Sequence, residues 1–433
     1  MIAASAGEGN TVVVRTTFGL LLSSDRGLTW RWVCEKALGF DGSWDPPVAV
    51  TKTGQVFVGL VDGLVATQGG CDVRPVPSLH GELVADLAAD GTGEALVAIT
   101  SPPGGIPRVW KQSSTGSWER LGQGPKGLSF DTIEVAPSDA KRIYLSAISD
   151  TAAGEAHLFR SDDGGRGLRE MKQTWPREGR LFISGVDPLD KDKLFVRLLH
   201  REGSLLLLSK DGGKRFRTVL EIPSSMPGFA LSFDGKTVYA GSSNPEEGVL
   251  RSDDGGEHFK TVSHVSVRCL RARRDDVLAC SDPFRPGGFA VAVSVDRGES
   301  FKTLANFDSA TAIVCDGGAG AQCAAAWEGT KAEVVAVGRS VFPLDAGSDE
   351  DAGVLGDAST SSPPEGPRVR NGAKGGKACG CDVLGSRQGP RGFVPGGGAL
   401  FCGGAVGVFL RCRRRRRMDP LGPRRALGSP GVE

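Results

Sequence analysis

Two tyrosines and five histidines are all that 433 residues hold of those two side chains. The histidines, His80, His157, His200, His258 and His264, show no metal-ligand spacing, and no paired C-x-x-C pattern marks a zinc site. Charge of neither sign is in excess: 52 Lys and Arg stand against 51 Asp and Glu, so the chain as a whole offers no electrostatic case for nucleic acid. Gly-rich stretches such as GGAGAQ and GGGALF neither follow a strand nor open a helix, which removes a phosphate-binding loop. A complete secretory signal is also missing, although Ile2, Ala3, Ala4, Ser5 and Ala6 read as the end of an h-region with a small-residue cleavage site. Residues 1–10 are therefore expected to be a signal-peptide remnant. No metal and no cofactor is expected.

Glycine and proline, at 63 and 25 residues, suit many short strands joined by tight turns. Ten cysteines are too few for a disulfide miniprotein, but six are placed suggestively. Cys269 and Cys280 are eleven apart across one strand pair, Cys315 and Cys323 flank a Gly-rich turn, and Cys34 and Cys71 recur about one repeat apart. They are disulfide candidates of unassigned connectivity, and they point to an oxidising compartment.

A repeat organises the chain. SSDRGLTW (23–30), SDDGGRGL (161–168), SKDGGKRF (209–216), SDDGGEHF (252–259) and SVDRGESF (294–301) share S-x-D-x-G and, in most, a following aromatic. The aspartates Asp163, Asp211, Asp254 and Asp296 are spaced by 48, 43 and 42 residues, and the 138 residues from Asp25 to Asp163 hold three repeats of 46. Degenerate turns at 67–71 and 113–118 fill that gap, giving seven units of the length of a four-stranded blade. An aspartate that accepts from amides farther along, with a glycine at positive φ, closes a tight turn between two strands. Runs at 310–338 (AIVCD, CAAAWEG, EVVAVG) read as strands that complete the ring with residues near Thr11–Thr16.

These segments resemble the Asp box, or bacterial neuraminidase repeat, of sialidases, sortilin-type receptors, some xyloglucanases and photosystem-assembly propellers. The resemblance implies an all-β, seven-bladed propeller over residues 11–340. It also implies a structural role for Asp25, Asp163, Asp211, Asp254 and Asp296, on the blade periphery and away from the funnel where ligands bind. A sialidase would need an Arg-Ile-Pro motif and a tyrosine nucleophile. The motif is absent, and Tyr144 and Tyr239 occupy equivalent strand positions explained by packing. A xyloglucanase-type hydrolase would need two facing carboxylates. Asp45, Asp187 and Asp282, all in loops directly before a proline, are the candidates off the repeats.

Beyond 340 the composition changes. Residues 341–378 read as a flexible linker rich in Asp, Gly, Ser and Pro. Residues 379–417 hold Cys379 and Cys381, an apolar stretch at 393–410 and an arginine cluster, and 418–433 form a tail. That order resembles a myxobacterial C-terminal surface-sorting signal. It implies processing at Cys379 or Cys381 by sorting machinery and a membrane span at 393–410 with arginines on the inner side. The expectation is an exported, surface-anchored, non-catalytic propeller that binds a protein or glycan partner. The alternative is a glycoside hydrolase of the same repeat type.

Overall fold

The computed structural model describes residues 1–341 except 7–8, 42–44, 114, 152–153 and 286. Seven antiparallel sheets follow one another along the chain, each a meander whose strand order is the sequence order. Blades 1 to 7 span residues 2–34, 48–75, 84–123, 128–170, 180–222, 228–263 and 269–305. Their inner strands pack in cyclic order, from Ile2–Ala4 of blade 1 round to Cys269–Ala272 of blade 7, which lies against blade 1 again. The fold is a seven-bladed β-propeller.

Apolar residues concentrate where blades face one another, because every sheet is covered on both faces. The second strand of blade 4, Ile143–Ser149, begins with five buried residues, and the third strand of blade 5, Gly203–Ser209, is buried throughout. Tyr144, Phe195, Phe57 and Phe130 are among the largest fully buried side chains. Each such aromatic contributes roughly 1.5–3 kcal/mol through the apolar area it hides.

All five S-x-D-x-G segments are the turns between third and fourth strands, and they share one set of bonds. The serine hydroxyl donates to the aspartate at 2.6–2.9 Å and accepts from the glycine amide at 2.7–2.9 Å. The aspartate then accepts the amide four residues on, from Thr29, Gly167, Arg215, His258 and Ser300. Each turn also packs on the preceding blade. Gly298 sits over Tyr239, so that an added Cβ would lie 3.3 Å from its ring, and the Tyr144 hydroxyl donates to the Lys191 carbonyl of blade 5 at 2.7 Å. Arg160 and Arg251, each just before a turn serine, donate to carbonyls in the next blade's turn, those of Gly212 and Arg297. The turns after Thr67 and Gln112 hold the same position in blades 2 and 3: the Thr67 hydroxyl accepts the Gly70 amide, whereas Gln112 takes the place of the serine in blade 3.

Three expectations are corrected. The run at 310–338 supplies only a two-residue strand, Thr311–Ala312, and then a helix, Ala321–Val341. Alanine is the best helix former, and among the described side chains of the helix Cys323 and Trp327, one turn apart, are buried against blade 1. Closure therefore uses no strand shared with Thr11–Thr16. Blade 1 has its own four strands, and Thr311–Ala312 pairs in parallel with Arg31 and Trp32 on its outer edge. Residues Ile2–Ala4, read in the sequence as the end of an h-region, are the inner strand of that blade, paired with Val12–Val14.

Cys269 bonds Cys280 across its strand pair as the spacing suggests, but the other two groupings are rearranged: Cys34 bonds Cys323 and Cys71 bonds Cys315. Two of the three bridges thus tie the C-terminal segment to blades 1 and 2. Trp32 and Trp327 pack beside them with their rings tilted and centroids 4.9 Å apart.

Candidate functional site: channel and loop face

In a meander of four strands, the turns between strands 1 and 2 and between 3 and 4 fall on one face of the ring. The loops between strands 2 and 3, and the connections from blade to blade, fall on the other. The five repeat turns therefore share one face, here the turn face, and the opposite loop face is free of them.

This division separates the three candidate carboxylates. Asp45 and Asp282 lie on the loop face, Asp187 on the turn face. Asp187 is buried, accepts the amides of Leu189 and Asp190 at 2.9 and 3.2 Å and pairs with Lys193 at 2.9 Å. Asp282 accepts the Phe284 amide at 3.2 Å and pairs with Arg285 at 3.6 Å. Asp45 is largely exposed and pairs with Arg15 at 3.7 Å. The structure does not bring them together.

The ionisable groups it does converge are on the inner strands, and the sequence reading passed over them. Asp86 belongs to Val84–Ala89, Glu134 to Leu128–Val135 and Arg271 to Cys269–Ala272. All three face the ring axis, Asp86 and Glu134 partly buried and Arg271 exposed. Burial pushes the Asp86 carboxyl up to about 7, against the pull of amide hydrogen bonds from Ile133 and Leu87. Burial, and then the neighbouring Asp86, pushes Glu134 up to about 8. Arg271, across the ring, is lowered by burial and partly restored by Glu134. The readable signal was a charge within an inner strand, alone among apolar residues in VADLAA and beside Asp131 and Thr132 in FDTIEV.

Asp86 has a counterpart one blade on. Its carboxylate accepts the Ile133 amide at 3.0 Å, and the Thr132 hydroxyl accepts the Ile183 amide at 2.9 Å. Nearer the loop face, Arg180 forks onto Asp131, which is almost wholly enclosed. The guanidinium groups of Arg180 and Arg197 lie over Phe182, at 5.5 and 4.8 Å from its centroid.

The turn face carries a groove of about 440 Å³ between blades 6 and 7, lined by Phe233, Tyr239, Arg273, Arg274, Val295 and Arg297. Phe233 and Val295 are exposed, and Arg273 and Arg297 are already paired with Asp276 and Asp253. Among the described residues no group of three or more His, Cys, Asp or Glu is placed to hold a metal ion. No described helix is long and apolar enough to cross a membrane. Cys379, Cys381 and the span expected at 393–410 lie outside the described residues.

No family model matches the chain, and no curated protein matches it either. Among solved structures, it is similar to an ancestral GH74 enzyme (15% identity, TM-score 0.48, 70% of this chain and 44% of that one). It is also similar to the GH74 xyloglucanase from Xanthomonas campestris (16%, TM-score 0.34, 70% and 63%) and to YCF48 bound to D1 peptide (15%, TM-score 0.41, 59% and 78%). The chain spans less than two thirds of either GH74 enzyme.

Proposed function

We propose that the chain is an exported, non-catalytic propeller of the Asp-box type that binds a protein or glycan partner on its loop face. One observation carries the non-catalytic part: Asp86 and Thr132 do the same job in neighbouring blades, each accepting an inner-strand amide of the next. A position that threonine fills equally well is selected for accepting a hydrogen bond, not for acid chemistry. Asp45, Asp187 and Asp282 are held in turns and ion pairs on opposite faces. The Asp-box assignment is supported by the bonding that five turns share, and export by three disulfides. The sorting signal at 379–417 rests on its order of motifs in the sequence.

A second reading, a glycoside hydrolase, is favoured by Glu134. Its carboxyl has the raised value a general acid requires, and it lies near a second carboxyl. Incubation of the protein with a panel of polysaccharides, followed by a reducing-end assay, separates the two. The binding reading expects no release above a heat-killed control. Release that disappears in Glu134→Gln would replace it with the hydrolase.

A further inference from the structure

The repeat allows one blade to serve as a control for another. In blade 1, Val12 of the second strand pairs with the turn serine Ser23, and in blade 5 Leu194 pairs with Ser209. Three residues on from each stands an arginine, Arg15 and Arg197. The same position in blades 4, 6 and 7 holds Ser146, Gly241 and Cys280, all buried. Both arginines reach the connection to the next blade. Arg15 Nη1 donates to the carbonyls of Asp45 and Pro46, and Arg197 Nη1 donates to the carbonyl of Met226. The connections align on a proline, Asp45-Pro46-Pro47 against Ser225-Met226-Pro227.

They differ in the counter-ion. Arg15 has the Asp45 carboxylate at 3.7 Å, but the equivalent residue beside Arg197 is the exposed Ser225, and no carboxylate lies within 4.0 Å of Arg197 among the described residues. Arg197 Nε is buried and has no hydrogen-bond partner. Arg197 as a whole is partly buried, and a partly desolvated guanidinium without a counter-charge carries a cost that a ligand carboxylate would offset.

We infer that Arg197 anchors a carboxylate site on the loop face between blades 5 and 6, and that it takes a side-chain or terminal carboxylate of a bound peptide. This rests on the partner-binding reading and names the chemistry of the partner. Carboxylate suits the planar fork of arginine, with Nε and the second Nη on one edge. A sugar acid is disfavoured because the nearby ring, Phe182, is already covered by Arg180 and Arg197 and offers no bare platform for stacking. Arg180 adds little net charge, since Asp131 neutralises it. Burial alone lowers Arg197 to about 10, with no carboxylate to hold it up.

The test follows the Arg197 Nε–H resonance in full-length protein labelled with 15N-arginine, titrated with N-acetylglutamate amide, glucuronate and chloride. Saturable shifts are expected with the capped glutamate only. Ser225→Asp, an exposed change that installs the carboxylate blade 1 already has, should move the resonance without ligand. It should also weaken the capped glutamate by roughly tenfold or more, the factor expected when one charge-assisted contact is lost. An unsaturable response, an equal response to chloride, tighter binding of glucuronate, or unchanged binding in Ser225→Asp would each overturn the assignment. Reducing-end release measured on the same samples tests the partner-binding reading separately, because Ser225→Asp touches no channel carboxyl.

Discussion

Gly256 of the blade 6 turn packs against the ring of Phe195 in blade 5 so closely that a Cβ at this position would collide with the ring. Its φ of +92° is a second reason for glycine. The preceding Gly164 of the blade 4 turn has the conformation without the contact: its φ is +78°, and the nearest atom to an added Cβ, the Ala140 carbonyl oxygen, is 4.0 Å away.

Gly164→Ala should therefore cost the backbone strain alone, roughly 1–2 kcal/mol. Gly256→Ala should add overpacking against Phe195, about a further 1–3 kcal/mol. Denaturant midpoints of the two variants check this. Equal losses would mean that the turn does not lock onto the preceding blade.

The three disulfides differ in access. Cys34, Cys323, Cys269 and Cys280 are buried, whereas Cys71 and Cys315 are partly exposed. Thiol–disulfide exchange needs an attacking thiolate to reach sulfur. Mild reductant followed by alkylation should therefore label Cys71 and Cys315 first, with the other four protected until the ring unfolds. Peptide mass mapping over time reads the order directly. Removing the Cys34–Cys323 bridge by paired serine substitution should cost about 2–5 kcal/mol, because the Cys71–Cys315 bridge, Trp327 and a two-residue strand are then left to hold the C-terminal closure.

The blade count was readable because each turn spends specific side chains on backbone amides, so Ser, Asp and Gly return at fixed intervals. The closure was not. Alternating and helical apolar patterns look alike over a short run such as CAAAWEG, and only the tertiary partners Trp32 and Cys34 decide it. Cys269–Cys280 was visible across its strand pair, but the other two bridges were hidden for a related reason: closing a ring brings residues 289 and 244 positions apart together, which local spacing cannot show. Arg197 escaped notice because an isolated arginine in a strand carries no motif. Aligning the repeats on their serines would have set it beside Arg15, and Ser225 beside Asp45.

The repeat aspartates predict acid lability. Asp296 is held down to about 2 by the Ser300 hydroxyl and amide and the Ser294 hydroxyl. At Asp25 burial pushes upward, but bonds from Thr29 and Ser23 outweigh it, again giving about 2. Both lie below the ordinary 3.8, so the folded state binds fewer protons than the unfolded chain. Their contribution is complete above about pH 4 and is lost as the pH falls through 2. Asp296→Asn should flatten the acid limb of a thermal-melt series in that window. An unchanged limb would show that the turn bonds do not depend on charge.

The channel carboxyls predict the opposite limb. Glu134 in the folded chain titrates at about 8 against an ordinary 4.5, so between those values the folded state holds a proton that the unfolded state has released. Stability is therefore lost steadily as the pH rises from about 4.5 to 8, and the full penalty stands above that. Glu134→Gln keeps the shape and removes the ionisation. It should match the parent protein at pH 4 and melt at a higher temperature above pH 8. Asp86→Asn is a weaker version of the same experiment, because the amide must still accept the Ile133 amide hydrogen through its oxygen. If Glu134→Gln melts lower than the parent at every pH, the carboxylate is making an ionised contact across the channel, with Arg271 as its nearest opposite charge.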